Sequence, residues 1–171
     1  MHSQWLHTMD EMGQTPLDRA FASGHMALAE LMLRTEKDDL ASRNTAPPMH
    51  RAAQLGLTEA VRSLLSFGSN PTERDESGET PLHKAAREGH ADCVALLAPV
   101  SDVNTSSEQG LAPLHWACLS GRADIAGLLL AQGADPALCS LSADGLSAMG
   151  IARALGFSEV EAALHMRPAY V

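Results

Sequence analysis

Histidine, threonine and cysteine are the residue types through which this chain could carry out chemistry. The stretch GETPLHKAAREGH, from Gly78 to His90, places two histidines close to a threonine and a lysine. Such a set is typical of the start of a metal site or of an acid–base site. Thiols occur at Cys93, Cys118 and Cys139. The spacing of these residues along the chain distinguishes a reactive site from a structural role.

Three of the eight histidines occupy equivalent places in similar stretches of sequence. His50, His83 and His115 each follow a proline by two residues. A residue that recurs in the same setting at regular intervals indicates a repeated structural unit.

The repeated unit has the core T-P-L-H-x-A. Besides the stretch already quoted, the chain contains GQTPLDRAFASGH, APPMHRAAQLGL, GLAPLHWACLSGR and GLSAMGIARALGF. The second position of the core recurs at intervals of 32, 33, 32 and 35 residues, as Pro16, Pro48, Pro81, Pro113 and Ala148. Each core is followed by a second apolar segment and a polar turn, so we predict five helix pairs.

One unit explains the pattern physically. Threonine at position 80 suits a helix N-cap, proline at position 81 costs no hydrogen bond in the first turn, and Gly89 suits a helix end. The first helix carries a narrow apolar stripe, and the second carries another; their residues are Leu82, Ala85, Ala86, Cys93, Val94 and Leu97. A single pair cannot bury its own apolar face, whereas a stack of pairs can.

These motifs and their period resemble the ankyrin-repeat family, over about residues 10–166. The resemblance implies an all-α fold: an ankyrin-repeat solenoid of stacked helix–turn–helix pairs with β-hairpin-like fingers. It also implies no catalytic activity, no cofactor and no metal, and a protein or peptide partner bound on the concave surface formed by fingers and inner helices.

We predict the following organisation from the repeat boundaries. An N-terminal segment covers residues 1–9, and the repeats cover residues 10–41, 42–74, 75–106, 107–141 and 142–166, the last as a C-terminal cap before a tail at 167–171. We expect either that Trp5 and Leu6 fold back over the first repeat or that the chain is a short form of a longer array.

Several positions depart from the family pattern. Pro47 stands where threonine is expected, which predicts an irregular second finger. The third repeat lacks a residue around positions 99–101. The fourth gains two residues within 137–145, which predicts an enlarged last finger. Ala148 and Gly150 replace proline and histidine in the fifth core.

The repeat argues against metal and nucleophile chemistry. Neighbouring inner helices lie about 10 Å apart, whereas zinc ligands lie about 2 Å from the metal. We therefore expect the motif histidines to hydrogen-bond threonine and the adjacent finger backbone. Cys93 and Cys118 fall in apolar stripes and are expected to be buried, while Cys139 is expected in the exposed enlarged finger.

Charge and composition narrow the class of partner. The formal net charge of -9 is the wrong sign for broad attraction to nucleic acid or to an anionic membrane surface. Three cysteines without C-x-x-C spacing indicate a reducing compartment. We therefore expect an intracellular protein, cytoplasmic or nuclear or both, and we favour a monomer.

The positions that the repeat framework leaves free are candidates for partner binding. Arg51, Lys84, Arg87 and Trp116 are the residues we expect to contribute most. The other candidates are Gln54, Leu55, Arg74, Glu76, Glu79, Glu88, Glu108, Leu111, Leu119 and Ser120. Trp116 is either an interface hot spot or a filler of the seam between repeats. The acidic stretch TERDESGE, residues 72–79, either meets a basic segment of the partner or serves solubility.

We therefore expect a non-enzymatic adaptor or regulator that binds a protein or peptide. An alternative is a transcription or signalling regulator that masks its partner in the nucleus or cytoplasm. An enzyme is a weaker alternative, because the chain shows no convergent nucleophile, base and orienting group.

Overall fold

The computed structural model describes residues 10–11, 15–25, 28–29, 32, 47–140 and 145–165 of the chain. The α-helices of these residues are α1 (Pro16–Ala22), α2 (Pro48–Gln54), α3 (Thr58–Ser66), α4 (Pro81–Glu88), α5 (Ala91–Leu97), α6 (Pro113–Leu119), α7 (Ala123–Ala131), α8 (Ala148–Leu155) and α9 (Ser158–His165). None of them is long and apolar enough to cross a membrane.

From residue 48 onward the helices form successive pairs. Each inner helix starts at a motif (α2, α4, α6 and α8), and each is followed by an outer helix (α3, α5, α7 and α9). Inner helices pack on inner helices and outer on outer. This arrangement confirms the predicted all-α ankyrin solenoid. We number these pairs as repeats 2 to 5; the count of five repeats over the whole chain stays a prediction.

Helix α4 shows how the motif produces one inner helix. It begins at Pro81 and ends at Glu88, and Gly89 follows with φ 86°, a left-handed conformation that favours glycine. The side chains of Leu82 and Ala85 are fully buried. Burying such a leucine stabilises the fold by about 2 kcal/mol, while the small alanine lets neighbouring helices approach closely. The predicted start, apolar stripe and end of this helix are confirmed.

The missing residue of repeat 3 has a local structural consequence. In repeats 2 and 4 the outer helix is followed by a left-handed glycine, Gly68 with φ 76° and Gly133 with φ 89°. In repeat 3 the outer helix continues instead into a 3-10 turn at Ala98–Val100. The tighter winding of this turn absorbs the lost residue, so that Asn104 still bonds repeat 4 through Gly133.

Only part of the last finger is described. The Ser140 N–H donates to the Leu146 carbonyl at 3.1 Å, and Cys139 forms an isolated antiparallel bridge with Ser147. Residues 141–144 lie outside the described part of the chain, as do Trp5, Leu6, the finger before Pro47 and the tail at 167–171.

Candidate protein-binding surface

The motif histidines bridge neighbouring repeats through both ring nitrogens. In His83, Nδ1 accepts hydrogen bonds from the Thr80 N–H at 3.0 Å and from the Thr80 hydroxyl at 2.8 Å. Nε2 therefore carries the proton and donates to the Leu111 carbonyl at 3.0 Å. His115 repeats the arrangement, accepting from the Ala112 N–H and donating to the Leu138 carbonyl at 2.9 Å. The predicted structural role of these histidines is confirmed.

His50 shows what the proline in its motif removes. Its Nε2 donates to the Glu79 carbonyl at 2.9 Å, as in the other repeats. Its buried Nδ1 has no partner among the described residues. The residue that would supply one is Pro47, which has neither an N–H nor a hydroxyl. The departure from threonine at this position therefore leaves a buried acceptor unsatisfied.

Burial governs the titration of these rings. It lowers the pKa of His50, His83 and His115, and the pKa of His83 falls to about 4 despite the carbonyl bond that favours its charged form. The three imidazoles are therefore neutral at pH 7.

The two buried thiols are correspondingly unreactive. Cys93 and Cys118 are fully buried, as predicted. Burial raises the pKa of Cys118 to about 12 and raises that of Cys93 although Thr58 hydrogen-bonds its sulfur. Cys139 is exposed, as predicted. Across the described residues, no three His, Cys, Asp or Glu side chains come together as metal ligands.

Two candidate contact residues belong to an internal ion-pair network. Lys84 Nζ lies 2.7 Å from an Asp75 carboxylate oxygen and also pairs with Glu79. The Glu79 and Lys84 side chains are only 6% and 11% exposed. Both residues were expected at positions free for partner contact, but they are buried, because the finger carboxylate turns inward to pair with the lysine of the helix that follows it. Whether they contact a partner stays a prediction.

The same network determines the direction in which the pKa of the half-buried Asp75 shifts. Burial opposes ionisation of Asp75, but hydrogen bonds from Lys84 and from the N–H groups of Glu79 and Ser77 outweigh it. The pKa of Asp75 is therefore lowered.

Arg87 connects the network to Trp116 in the next repeat. Its guanidinium lies 5.2 Å from the centroid of the indole ring, within range of a cation–π interaction. Its nitrogens donate to Glu79 and Glu88, each at 3.2 Å. Trp116 is half-buried, packs against the core and has a buried Nε1–H with no partner in the described residues. The indole therefore fills the seam between repeats; its role as a hot spot stays a prediction.

The remaining candidates divide between helix ends and fingers. Exposed residues at the ends of inner helices are Gln54, Leu55, Glu88, Leu119 and Ser120. Exposed finger residues are Arg74, Glu76 and Glu108, while Arg51 and Leu111 are half-buried. Neighbouring fingers are tied together, since Arg74 donates to the Ser106 carbonyl at 3.1 Å and the Glu108 N–H donates to the Ser77 carbonyl at 3.0 Å.

Sequence reasoning missed Leu155. It is 50% exposed at the end of α8, at the motif position that Leu55 occupies at the end of α2. The repeat spacing alone could have identified Leu155, because both leucines lie seven positions after the second residue of the core. The predicted candidates at the ends of inner helices came only from repeats 2 to 4.

Comparison with known proteins agrees with this geometry. A family model for ankyrin repeats, in three copies, matches residues 49–138. The chain is 35% identical over 54% of its length to the E3 ubiquitin-protein ligase Ufd4 of Drosophila melanogaster, which it covers to 3%. It is 35% identical over 52% of its length to inversin of Gallus gallus, covered to 8%. It is 34% identical over 52% to the putative E3 ubiquitin-protein ligase XBAT34 of Arabidopsis thaliana, covered to 25%.

The chain thus spans a quarter or less of the length of these relatives. Ankyrin repeats are in general non-catalytic modules for protein–protein interaction. The family match covers more than half of the chain. Within the matched residues, the helices form the stacked pairs, with left-handed glycines and bridging histidines, described above. The chain belongs to the ankyrin-repeat family.

Proposed function

We propose that this protein is a non-enzymatic adaptor or regulator that binds a protein or peptide across the exposed ends of its inner helices and its fingers. We place it inside the cell, in the cytoplasm or nucleus, as a monomer. A regulator that masks its partner would use the same surface. We call the set Leu55, Leu119 and Leu155, with Trp116 and the finger residues beside them, the concave surface.

The observation that carries this proposal is the row of large apolar side chains on that surface. Leu55, Leu119 and Leu155 are 40%, 38% and 50% exposed at the ends of α2, α6 and α8. Leu55 and Leu155 occupy the same motif position, and Leu119 lies one position earlier in its repeat. Folding alone does not account for large apolar side chains exposed to water at these adjacent helix-end positions. Together with Trp116 and Arg87, which lie on the inner helices between them, they have the composition of the apolar centre and charged rim of a protein interface.

The experiment compares two leucines that differ in location only. Leu119 is 38% exposed on inner helix α6, and Leu128 is 36% exposed on outer helix α7. Wild type, Leu119→Glu and Leu128→Glu are used to capture proteins from cell extract, with quantification by mass spectrometry. We expect Leu119→Glu to lose a captured protein that Leu128→Glu retains, because a buried carboxylate at an interface weakens binding by about 2 kcal/mol or more.

Circular dichroism of both variants serves as the folding control. Loss of a captured protein from Leu128→Glu alone would indicate binding by the outer helices and contradict the proposal. Equal loss from both variants would also contradict it, because binding would then not depend on the inner-helix surface.

A further inference from the structure

From repeat 3 onward, the concave surface has two chemically different halves, and Leu55 of repeat 2 lies before both. The acidic half lies on α4 and on the segments that precede α4 and α6, and its exposed carboxylates are Glu73, Glu76, Glu88 and Glu108. The apolar half lies on repeats 4 and 5, and its members are Leu111, Trp116, Leu119, Leu146 and Leu155. The two halves follow one another along the stack, so a bound segment meets them in a fixed order.

The acidic half is concentrated in a short part of the chain. Residues 72–110 hold eight carboxylate side chains against three basic ones, which accounts for five of the nine net negative charges. Two finger tips bring part of this charge together, because the Glu108 N–H donates to the Ser77 carbonyl at 3.0 Å. The Glu108 side chain also lies within 3.1 Å of the place where a Cβ on Gly78 would stand.

All three basic side chains of this region already have internal partners. Lys84 pairs with Asp75 and Glu79. Arg87 pairs with Glu79 and Glu88. Arg74 donates to the Ser106 carbonyl. Because these cations are held against the protein, a partner that approaches the finger tips meets net negative charge.

The apolar half lacks charge at the same motif positions. Glu79 and Lys84 of repeat 3 correspond to Leu111 and Trp116 of repeat 4, and Arg87 corresponds to Leu119. In repeat 5, Leu146 is 37% exposed and lies over the start of α8, 3.3 Å from the Cβ position of Gly150. The change from ionic to apolar residues therefore occurs within one repeat.

We propose, as a refinement that rests on the proposed function, that the partner is a protein segment with a basic cluster and an apolar cluster in tandem. The basic cluster lies against the finger tips of repeats 3 and 4, and the apolar cluster lies on Leu119, Leu146 and Leu155. Repeats 3 and 5 are two spacings of about 10 Å apart, a distance that an extended segment covers in about six residues.

The probe is a displayed library of random 16-residue peptides, selected on the wild-type protein. We expect the enriched peptides to carry two or more basic residues beside a group of apolar residues. One enriched peptide is then synthesised together with a permutation of the same composition in which basic and apolar residues alternate. We expect the permutation to bind about tenfold more weakly, because only the tandem order matches both halves at once.

Charge reversal tests the acidic half directly. The double variant Glu73→Lys, Glu108→Lys should bind the peptide about tenfold more weakly and with less dependence on salt. The matched control is Glu59→Lys, Asp92→Lys, which changes the net charge equally on outer helices α3 and α5 and should retain wild-type affinity.

The outcomes separate this inference from the proposed function. Peptides that lose binding to Leu119→Glu but show no basic preference, or that bind both charge-reversal variants equally, overturn the inference and leave the function standing. Peptides unaffected by Leu119→Glu overturn both. A library that yields no binder also overturns the inference.

Discussion

At the scale of single residues, each motif histidine connects its own repeat to the backbone of the next finger. The recurrence of His50, His83 and His115 indicated a structural role, because a repeated setting implies a repeated contact. The burial of Glu79 and Lys84 was not predictable, since it depends on a finger and a helix meeting in three dimensions. The unsatisfied Nδ1 of His50 follows from the sequence once the Thr80–His83 hydrogen bond is known.

Restoring the donor beside His50 should stabilise the protein. Pro47→Thr supplies the N–H and hydroxyl that Thr80 supplies to His83. We expect the free energy of unfolding to exceed that of Pro47→Ala, which restores the N–H alone, by about 1 kcal/mol. Urea denaturation of the two variants measures the difference. Both lose the proline ring, so equal stabilities would show that the hydroxyl does not reach Nδ1.

The histidine bridges should make stability depend on pH. The folded-state pKa of His83 is about 4, below the ordinary value of 6.5. Between these values the unfolded state binds more protons, so stability is full above pH 6.5 and is lost as the pH falls toward 4. The complete shift corresponds to about 3 kcal/mol for His83.

Denaturation at pH 7 and pH 4.5 tests this dependence, with His83→Gln as the comparison. The amide keeps a donor and an acceptor but does not titrate, so its loss of stability over this range should be smaller than that of wild type. The same loss in both proteins would assign the pH dependence to other groups. The lowered pKa of Asp75 keeps that carboxylate out of this window.

At the scale of helices and turns, the contact between neighbouring repeats includes a glycine at the end of the inner helix, on which a side chain of the next repeat packs. Gly56 ends α2 with φ 69°, and a Cβ there would lie 2.6 Å from the ring of His90, which donates to the Gln54 carbonyl. Phe157 approaches Gly121 similarly, at 3.1 Å from the Cβ position. The sequence predicted these glycines as helix ends, but the ring packed on them comes from the next repeat and required the structure.

A matched pair of glycines separates two requirements for glycine, the left-handed backbone conformation and the close approach of a neighbouring side chain. Gly156 occupies the same motif position as Gly56, with φ 74°, and nothing in the described part of the chain lies within 4 Å of its Cβ position. Gly156→Ala should cost about 1 kcal/mol for the left-handed backbone alone. Gly56→Ala should cost about 1–3 kcal/mol more, because the His90 ring must move.

Thermal or urea unfolding of the two variants gives this difference. Equal costs would mean that the seam adjusts freely to a methyl group and that backbone conformation alone requires glycine.

At the scale of the whole molecule, the stack presents a polar face after repeat 5. Cys118 and Ala126 of repeat 4 are fully buried against the next pair. The same motif positions in repeat 5 hold Arg153, which is exposed, and Glu161, which is half-buried. The sequence predicted a terminal cap from its worn motif. That cap stays a prediction, and these two residues support it, because charges at the stacking positions disfavour the docking of another helix pair.

Replacing these charges should promote self-association. Arg153→Ala with Glu161→Ala restores small apolar residues at the stacking positions. We expect about tenfold tighter self-association than wild type, or about 1.4 kcal/mol, measured by sedimentation velocity over a range of concentrations. Glu59→Ala with Arg62→Ala removes one exposed acid and one exposed base from α3 and serves as the control. Equal behaviour of the two double variants would contradict a capping role.

The central claim is that a protein partner contacts the concave surface. Site-specific photocrosslinking tests it most directly, with p-benzoylphenylalanine replacing Leu119 on α6 in one protein and Leu128 on α7 in another. The two side chains have nearly equal exposure, so a difference in cross-linking yield reflects which face of the protein the partner contacts. We expect a discrete cross-linked partner from position 119 and none from position 128. Cross-links from position 128 alone would contradict the account.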